Sequence, residues 1–121
     1  MKPFSIKKRI ESFKYAGIGI WKLIANEHNA WIHCTAVIVV TIAGFYFGIN
    51  KYEWIIVTGC FGLVLAAEAI NTAIEKLVDM VSPDKHPLAA DVKDIAAGAV
   101  LLCAIASAII GGIIFIPYII S

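Results

Sequence analysis

Three long stretches of this chain carry no Asp, Glu, Lys or Arg: 23 residues between Glu27 and Lys51, 14 between Glu53 and Glu68, and 27 from Ile95 to Ser121. A hydrocarbon layer about 30 Å thick takes roughly 20 helical residues to cross, so the first and last stretches are long enough on their own. The middle one must continue through Glu68, and a carboxylate inside a span is costly unless a partner or water meets it. Composition agrees, with 60% apolar and 16% charged residues, where soluble domains average about half and about a quarter. The chain therefore reads as an all-α membrane protein, an N-terminal amphipathic surface helix plus three transmembrane helices, forming a single domain over residues 1–121.

In chain order, Ile6, Ile10, Phe13, Gly17, Ile20, Trp21 and Ile24 recur at helical spacing with Lys7, Lys8, Glu11, Lys14 and Lys22 between them. That pattern predicts a surface helix over about 4–27, lying on anionic headgroups. Spans follow at about 30–48, 54–80 and 94–116. The polar turn Asn50-Lys51-Tyr52-Glu53 separates the first two, and the breaker Ser82-Pro83-Asp84 opens a loop to Ala90 before the third. Asp91, Lys93 and Asp94 then start the last helix, and Pro117 marks its end.

Several chemistries are excluded. A net charge of +1 gives no nucleic-acid signature, and there is no G-x-x-x-x-G-K-[ST] or G-x-G-x-x-G loop. Cys34, Cys60 and Cys103 stand singly in three different apolar runs and read as small hydrophobes. Gly111-Gly112 reads as a helix-packing site. His33 and His86 are isolated, which makes each an ordinary interface or loop histidine.

What stands out is one face of the second span. Glu68, Asn71, Glu75 and Asp79 advance by three, seven and eleven residues, which at 3.6 residues per turn keeps the other three within about 60° of Glu68. Glu75 lies about 10 Å along the axis from Glu68, and Asp79 about 6 Å beyond that. The deepest carboxylate suits a general base or proton carrier. The shallower ones, with Glu27 at the end of the surface helix, suit a hard cation such as Mg²⁺ whose shell phosphate oxygens complete. Pairing with Lys76 or Lys93 is the plain structural alternative for these carboxylates. The residues alone support two classes of function: an enzyme acting on a lipid headgroup at the interface, or a proton- or ion-relay membrane subunit using Glu68.

The run Glu68-Ala69-Ile70-Asn71-Thr72-Ala73-Ile74-Glu75-Lys76-Leu77-Val78-Asp79 closely resembles the signature of the prokaryotic diacylglycerol kinase family of small integral-membrane lipid kinases. The stretch from His86-Pro87-Leu88 through Lys93-Asp94 to Leu101 is similar as well, and the resemblance extends from about Lys8 to Pro117. It implies a homotrimer in the bacterial inner membrane that transfers the γ-phosphoryl group of ATP to the primary hydroxyl of a membrane lipid. It implies Glu68 as general base, and Glu27 and Glu75 as ligands of the Mg²⁺ that accompanies ATP. Lys8, Arg9, Tyr15, Asp84, Lys85, His86, Lys93 and Asp94 fall on nucleotide-contacting positions, with Asn71 and Asp79 supporting the active-site face. At the basic position near the start of the surface helix, relatives have Arg where this chain has Lys8 followed by Arg9. Two lipids suit such an enzyme, undecaprenol and diacylglycerol. The segment Glu27-His28-Asn29-Ala30-Trp31-Ile32-His33 resembles the Gram-positive branch, which favours undecaprenol and usually has Glu-Arg-Asn-x-x-Ile-His; His28 departs from it.

Six Lys and Arg residues, Lys2, Lys7, Lys8, Arg9, Lys14 and Lys22, precede the first span, against Lys51 alone in the first loop and Lys85 and Lys93 in and after the second. The positive-inside rule then places the N-terminus and second loop in the cytoplasm. Single cysteines at Lys51 and Lys85, in a background without the native three, are expected to react with an impermeant thiol reagent from opposite sides, Lys85 from the cytoplasmic one. Labelling of both from one side contradicts this topology.

Overall fold

A computed structural model describes residues 3–121, so Lys2 of the charge count lies outside the described residues. It contains four helices and, among the described residues, no strand: α1 (Ile6–Asn26), α2 (His28–Phe47), α3 (Lys51–Val81) and α4 (Pro87–Ile120). The last three are long and apolar enough to cross a membrane. Their large side chains are mostly uncovered by the chain itself, with Ile38, Ile42, Leu63, Leu102, Ile109 and Ile113 among those left exposed. In a water-soluble protein that would be untenable, whereas hydrocarbon solvates such side chains without cost.

Each boundary has a local cause. Ser5 caps α1, its hydroxyl accepting from the Lys8 N–H at 3.4 Å. Glu27 alone separates α1 from α2 and takes an extended conformation (φ −106°, ψ 116°), so a single residue turns the chain from surface helix to first span. The indole N–H of Trp31 reaches back to the Ile24 carbonyl and ties the two helices together. At the far end, Gly48 closes α2 in the left-handed conformation (φ 64°), which only glycine adopts without strain. Asn50 then opens α3 through a capping box: its side chain accepts from Glu53 N–H at 2.9 Å, and the Glu53 carboxylate accepts from Asn50 N–H at 3.0 Å.

Three boundaries differ from the sequence reading. Helix α3 starts at Lys51 rather than near residue 54, because the Asn50 capping box draws Lys51, Tyr52 and Glu53 into its first turn. Helix α4 starts at Pro87 rather than near residue 94, because the His86 ring caps it by accepting from Leu88 N–H at 3.1 Å and proline is well placed in a first turn. It also runs through Pro117 to Ile120. Proline removes only one backbone bond, and so close to a helix end only a few residues follow it.

Packing is uneven along the bundle. Helix α3 packs chiefly against α4 and less against α2, while α1 touches α2 and α3 only slightly. The buried apolar cluster of Ile49, Val57 and Ile114, with Phe47, Trp54, Phe115 and Tyr118 against it, lies at the α2–α3 turn. There the Tyr118 hydroxyl donates to the Glu53 carboxylate and joins α4 to the capping box. The opposite end, where the α3–α4 loop and α1 lie, lacks such a cluster among the described residues.

The tightest point of the packed end is Gly44, where an added Cβ would stand 2.6 Å from the Trp54 ring and 3.2 Å from Ile49. Around Gly17 of α1 there is open space. Gly44→Leu is therefore expected to destabilise the detergent-solubilised protein by about 1–3 kcal/mol, lowering its melting temperature. Gly17→Ala should leave the melting temperature unchanged or slightly higher; equal effects of the two would contradict the packing described.

Candidate functional site

The polar face of α3 is graded by burial. Glu68 is only 2% exposed and Asn71 4%, Glu75 is half-buried, and the side chain of Asp79 is 64% exposed. The face thus runs from the protein interior to water over eleven residues, or about 16 Å of helix. Counting roughly 20 residues of span from Lys51 ends the hydrocarbon near residue 70. By this count Glu68 falls near one edge of the apolar layer, and Glu75 and Asp79 fall beyond it.

Burying a carboxylate this thoroughly requires a partner. The structure supplies one that the sequence reading missed: His33 of α2, whose Nε2 lies 3.5 Å from Glu68 Oε2. Among the described residues no Lys or Arg pairs with Glu68. The reading of His33 as an isolated histidine overlooked a signal that was present. His33 stands seventeen residues before Asn50 and Glu68 eighteen after it, so a helical hairpin turning at Asn50 brings the two to similar depth. His33 also lines an apolar cavity of about 210 Å³ between the three spans, with Val37, Val57, Val64 and Gly111, which Glu68 does not reach.

One turn along α3, Asn71 donates its amide to Glu75 Oε1 at 3.3 Å and fixes that carboxylate's direction. The Asn71 carbonyl oxygen and the Thr72 hydroxyl are buried without a hydrogen-bond partner. Two turns along, Asp79 forms a salt bridge with Lys93 of α4. Both groups are substantially exposed, so the pair contributes about 0–1 kcal/mol; its consequence is to hold the start of α4 against the end of α3. Of the alternatives for the carboxylates, pairing with Lys93 thus applies to Asp79 and not to Glu68 or Glu75.

Beyond that bridge, Asp79, Asp84, Lys85, His86 and Lys93 line one open cleft of about 500 Å³ beneath the α3–α4 loop. The hydroxyl of Ser82 donates to the Asp84 carbonyl at 3.2 Å and shapes the loop. His86 spends Nδ1 on the cap of α4 and keeps Nε2 for another partner. Five of the residues singled out from the sequence are therefore brought together here. Asp94 is exposed on the first turns of α4 outside this lining. Lys8, Arg9 and Tyr15 are exposed on α1 and belong to neither group, while Glu27 is the half-buried link between α1 and α2.

Oxygen donors for a cation are present at the Glu75 carboxylate and the unpartnered Asn71 carbonyl beside it, while Glu27, the other residue expected from the sequence, lies at the junction of α1 and α2. Among the described residues no three His, Cys, Asp or Glu side chains converge as a metal cage. Mg²⁺ does not need one, since it is commonly held by one or two carboxylates with substrate phosphates and water completing an octahedron. The residues fit such a cation.

Comparison with known proteins now decides the family. The sequence model for prokaryotic diacylglycerol kinase matches residues 14–115, which include every residue of the α3 face and of the loop cleft. The chain belongs to the prokaryotic diacylglycerol kinase family. It is 41% identical over 112 residues to the undecaprenol kinase of Bacillus subtilis, an alignment covering 93% of this chain and 91% of that one. It is also 41% identical over 113 residues to a diacylglycerol kinase of Synechocystis, of which it spans 63%. A diacylglycerol kinase of Haemophilus influenzae is 30% identical over 115 residues, covering 94% of this chain and 98% of that one. Lys8 and Arg9 precede the residues matched by the family, whereas Tyr15 and Glu27 fall within them.

Proposed function

We propose that this lipid kinase of the membrane transfers the γ-phosphoryl group of ATP to the primary hydroxyl of undecaprenol, using Glu68 as general base. The observation that carries this is the placement of Glu68: a buried carboxylate near one edge of the apolar layer, two turns from the Glu75–Asn71 pair and in line with the loop cleft. Its burial at the inner end of a face that opens to water near Asp79 puts a proton acceptor at the depth of a lipid headgroup hydroxyl.

In this reading the Glu68 carboxylate takes the hydroxyl proton as the lipid oxygen forms its bond to the γ-phosphorus. The bond from that phosphorus to the bridging oxygen breaks, and its electron pair leaves on ADP. Such a transfer depends on positioning and charge neutralisation more than on covalent chemistry from the protein. Glu75, oriented by Asn71, and Glu27 would hold Mg²⁺, which when bound would neutralise phosphate charge. The loop cleft would seat the nucleotide, with Lys85, Lys93 and the free Nε2 of His86 toward phosphate and Asp84 and Asp94 toward the remaining polar groups. Lys8, Arg9 and Tyr15 would close over it from α1, turning about the single extended residue Glu27. Asp79 holds Lys93 in place until phosphate competes for it.

The reading further includes a homotrimer in the bacterial inner membrane, with the N-terminus and the α3–α4 loop cytoplasmic. Supporting undecaprenol over diacylglycerol is the 41% identity to an undecaprenol kinase over nearly the whole of both chains. So is the segment from Ala25 to Leu63, which apart from Asn26, His28, Asn29 and His33 offers few donors for the ester groups that diacylglycerol carries.

Glu68→Gln keeps shape but loses the basic lone pair, so turnover should fall by about two orders of magnitude with ATP binding retained. Glu75→Ala and Glu27→Ala should lose activity that high Mg²⁺ partly restores, while Glu68→Gln should not respond. Lipid phosphorylation at a near wild-type rate by Glu68→Gln, or a uniform response of the three variants to Mg²⁺, would count against these roles.

A further inference from the structure

We infer that His33 is a positioning residue for the base: its Nε2–H holds one oxygen of the Glu68 carboxylate and leaves the other free to take the lipid hydroxyl proton. This rests on Glu68 being the base, as proposed above. The geometry starts from the 3.5 Å separation between His33 Nε2 and Glu68 Oε2, on side chains 18% and 3% exposed. Distances of this kind in a ligand-free site shorten when substrate excludes the remaining water. A free carboxylate rotates about its last torsion and presents either oxygen in many directions; one fixed hydrogen bond removes most of that freedom.

The surroundings leave His33 as the one side chain for this task. The amide of Asn71, the nearest polar donor along α3, is directed to Glu75 instead. Thr72 is buried with no partner, and it makes no hydrogen bond to Glu68. The basic side chains that form ion pairs with carboxylates among the described residues are His33 and Lys93, and Lys93 is engaged by Asp79.

The same geometry distinguishes positioning from proton relay. A relay passes the proton onward, and beyond His33 lies the apolar cavity, lined by groups such as Val37, Val57, Val64 and Phe61 with no titratable side chain besides the histidine and Cys60. On that side no carboxylate stands to receive a proton, so the imidazole is placed to hold Glu68 rather than to pass a proton on. The proton that Glu68 acquires leaves by the wet end of the α3 face, past Asn71 and Glu75. His33 both contacts Glu68 and lines the cavity, which Glu68 itself does not.

The test compares two substitutions in the full-length protein in lipid nanodiscs. His33→Leu fills the space without a donor. His33→Gln carries an amide nitrogen at nearly the position of Nε2. For His33→Leu we expect kcat to fall about tenfold to a hundredfold, the range seen when a supporting hydrogen bond is removed, with KM for ATP and for lipid within about twofold of wild type. His33→Gln should recover most of the loss. Equal losses in the two variants, a loss carried by KM, or wild-type kcat in His33→Leu would each overturn the assignment. If His33→Leu does not fold, His33→Met replaces it, and if neither folds, His33→Gln alone decides, since loss of most of its kcat contradicts the inference. Glu68→Gln measured alongside separates the two possible failures. An active Glu68→Gln removes the base itself, whereas an inert Glu68→Gln beside a full-rate His33→Leu removes only the role of His33.

Discussion

A carboxyl group at the edge of a hydrocarbon layer must find polar partners in the protein or meet water, and in this chain that requirement falls on Glu68. It fixes how α2 and α3 face each other, because His33 is the group that meets the carboxylate. It also fixes which side of α3 turns inward, since Asn71 and Thr72 are buried on the same side as Glu68. Leaving such a group charged and without a partner would cost several kcal/mol. A chain that gained nothing from the carboxylate would have an apolar residue there, as the rest of the span does.

The two ends of the bundle divide the work. The α2–α3 turn is closed by Gly48, by the Asn50–Glu53 capping box and by the Tyr118 hydroxyl on Glu53, over a cluster of Ile49, Val57 and Ile114. That end is closely packed, and among the described residues none of the candidate site residues lies there. At the other end α3 outruns the membrane, the α3–α4 loop frames an open cleft, and α1 leaves α2 through one extended residue. A well-packed end opposite an open one suits a lipid kinase of the membrane, which meets its lipid at the interface. The membership in the prokaryotic diacylglycerol kinase family accords with this division.

Much of this was legible in the sequence because membranes simplify the reading. Uncharged runs of sufficient length become spans, and the spacing of Glu68, Asn71, Glu75 and Asp79 gives one face whatever the tertiary packing. The start of α4 was less legible: Pro87 looks like a breaker, and only the cap formed by the His86 ring shows that it begins a helix. The pairing of Asp79 with Lys93 was one of two options in sequence, and the crossing of α3 and α4 selects it over Lys76. The contact of His33 with Glu68 is a tertiary fact joining residues thirty-five apart. No local pattern announces it, although their near-equal distances from Asn50 contain the information once α2 and α3 are treated as a hairpin.

The central claim is that the α3 face moves a phosphoryl group from nucleotide to lipid. The most direct measurement is a single-turnover reaction of the wild-type chain in nanodiscs containing undecaprenol and diacylglycerol together, with Mg²⁺ and ATP labelled at the γ-phosphorus. The account predicts label in the extracted lipid, severalfold more in undecaprenyl phosphate than in phosphatidic acid at equal acceptor concentration, a difference of about 1 kcal/mol. Label confined to ATP and inorganic phosphate would contradict it, and label favouring phosphatidic acid would contradict the choice of lipid.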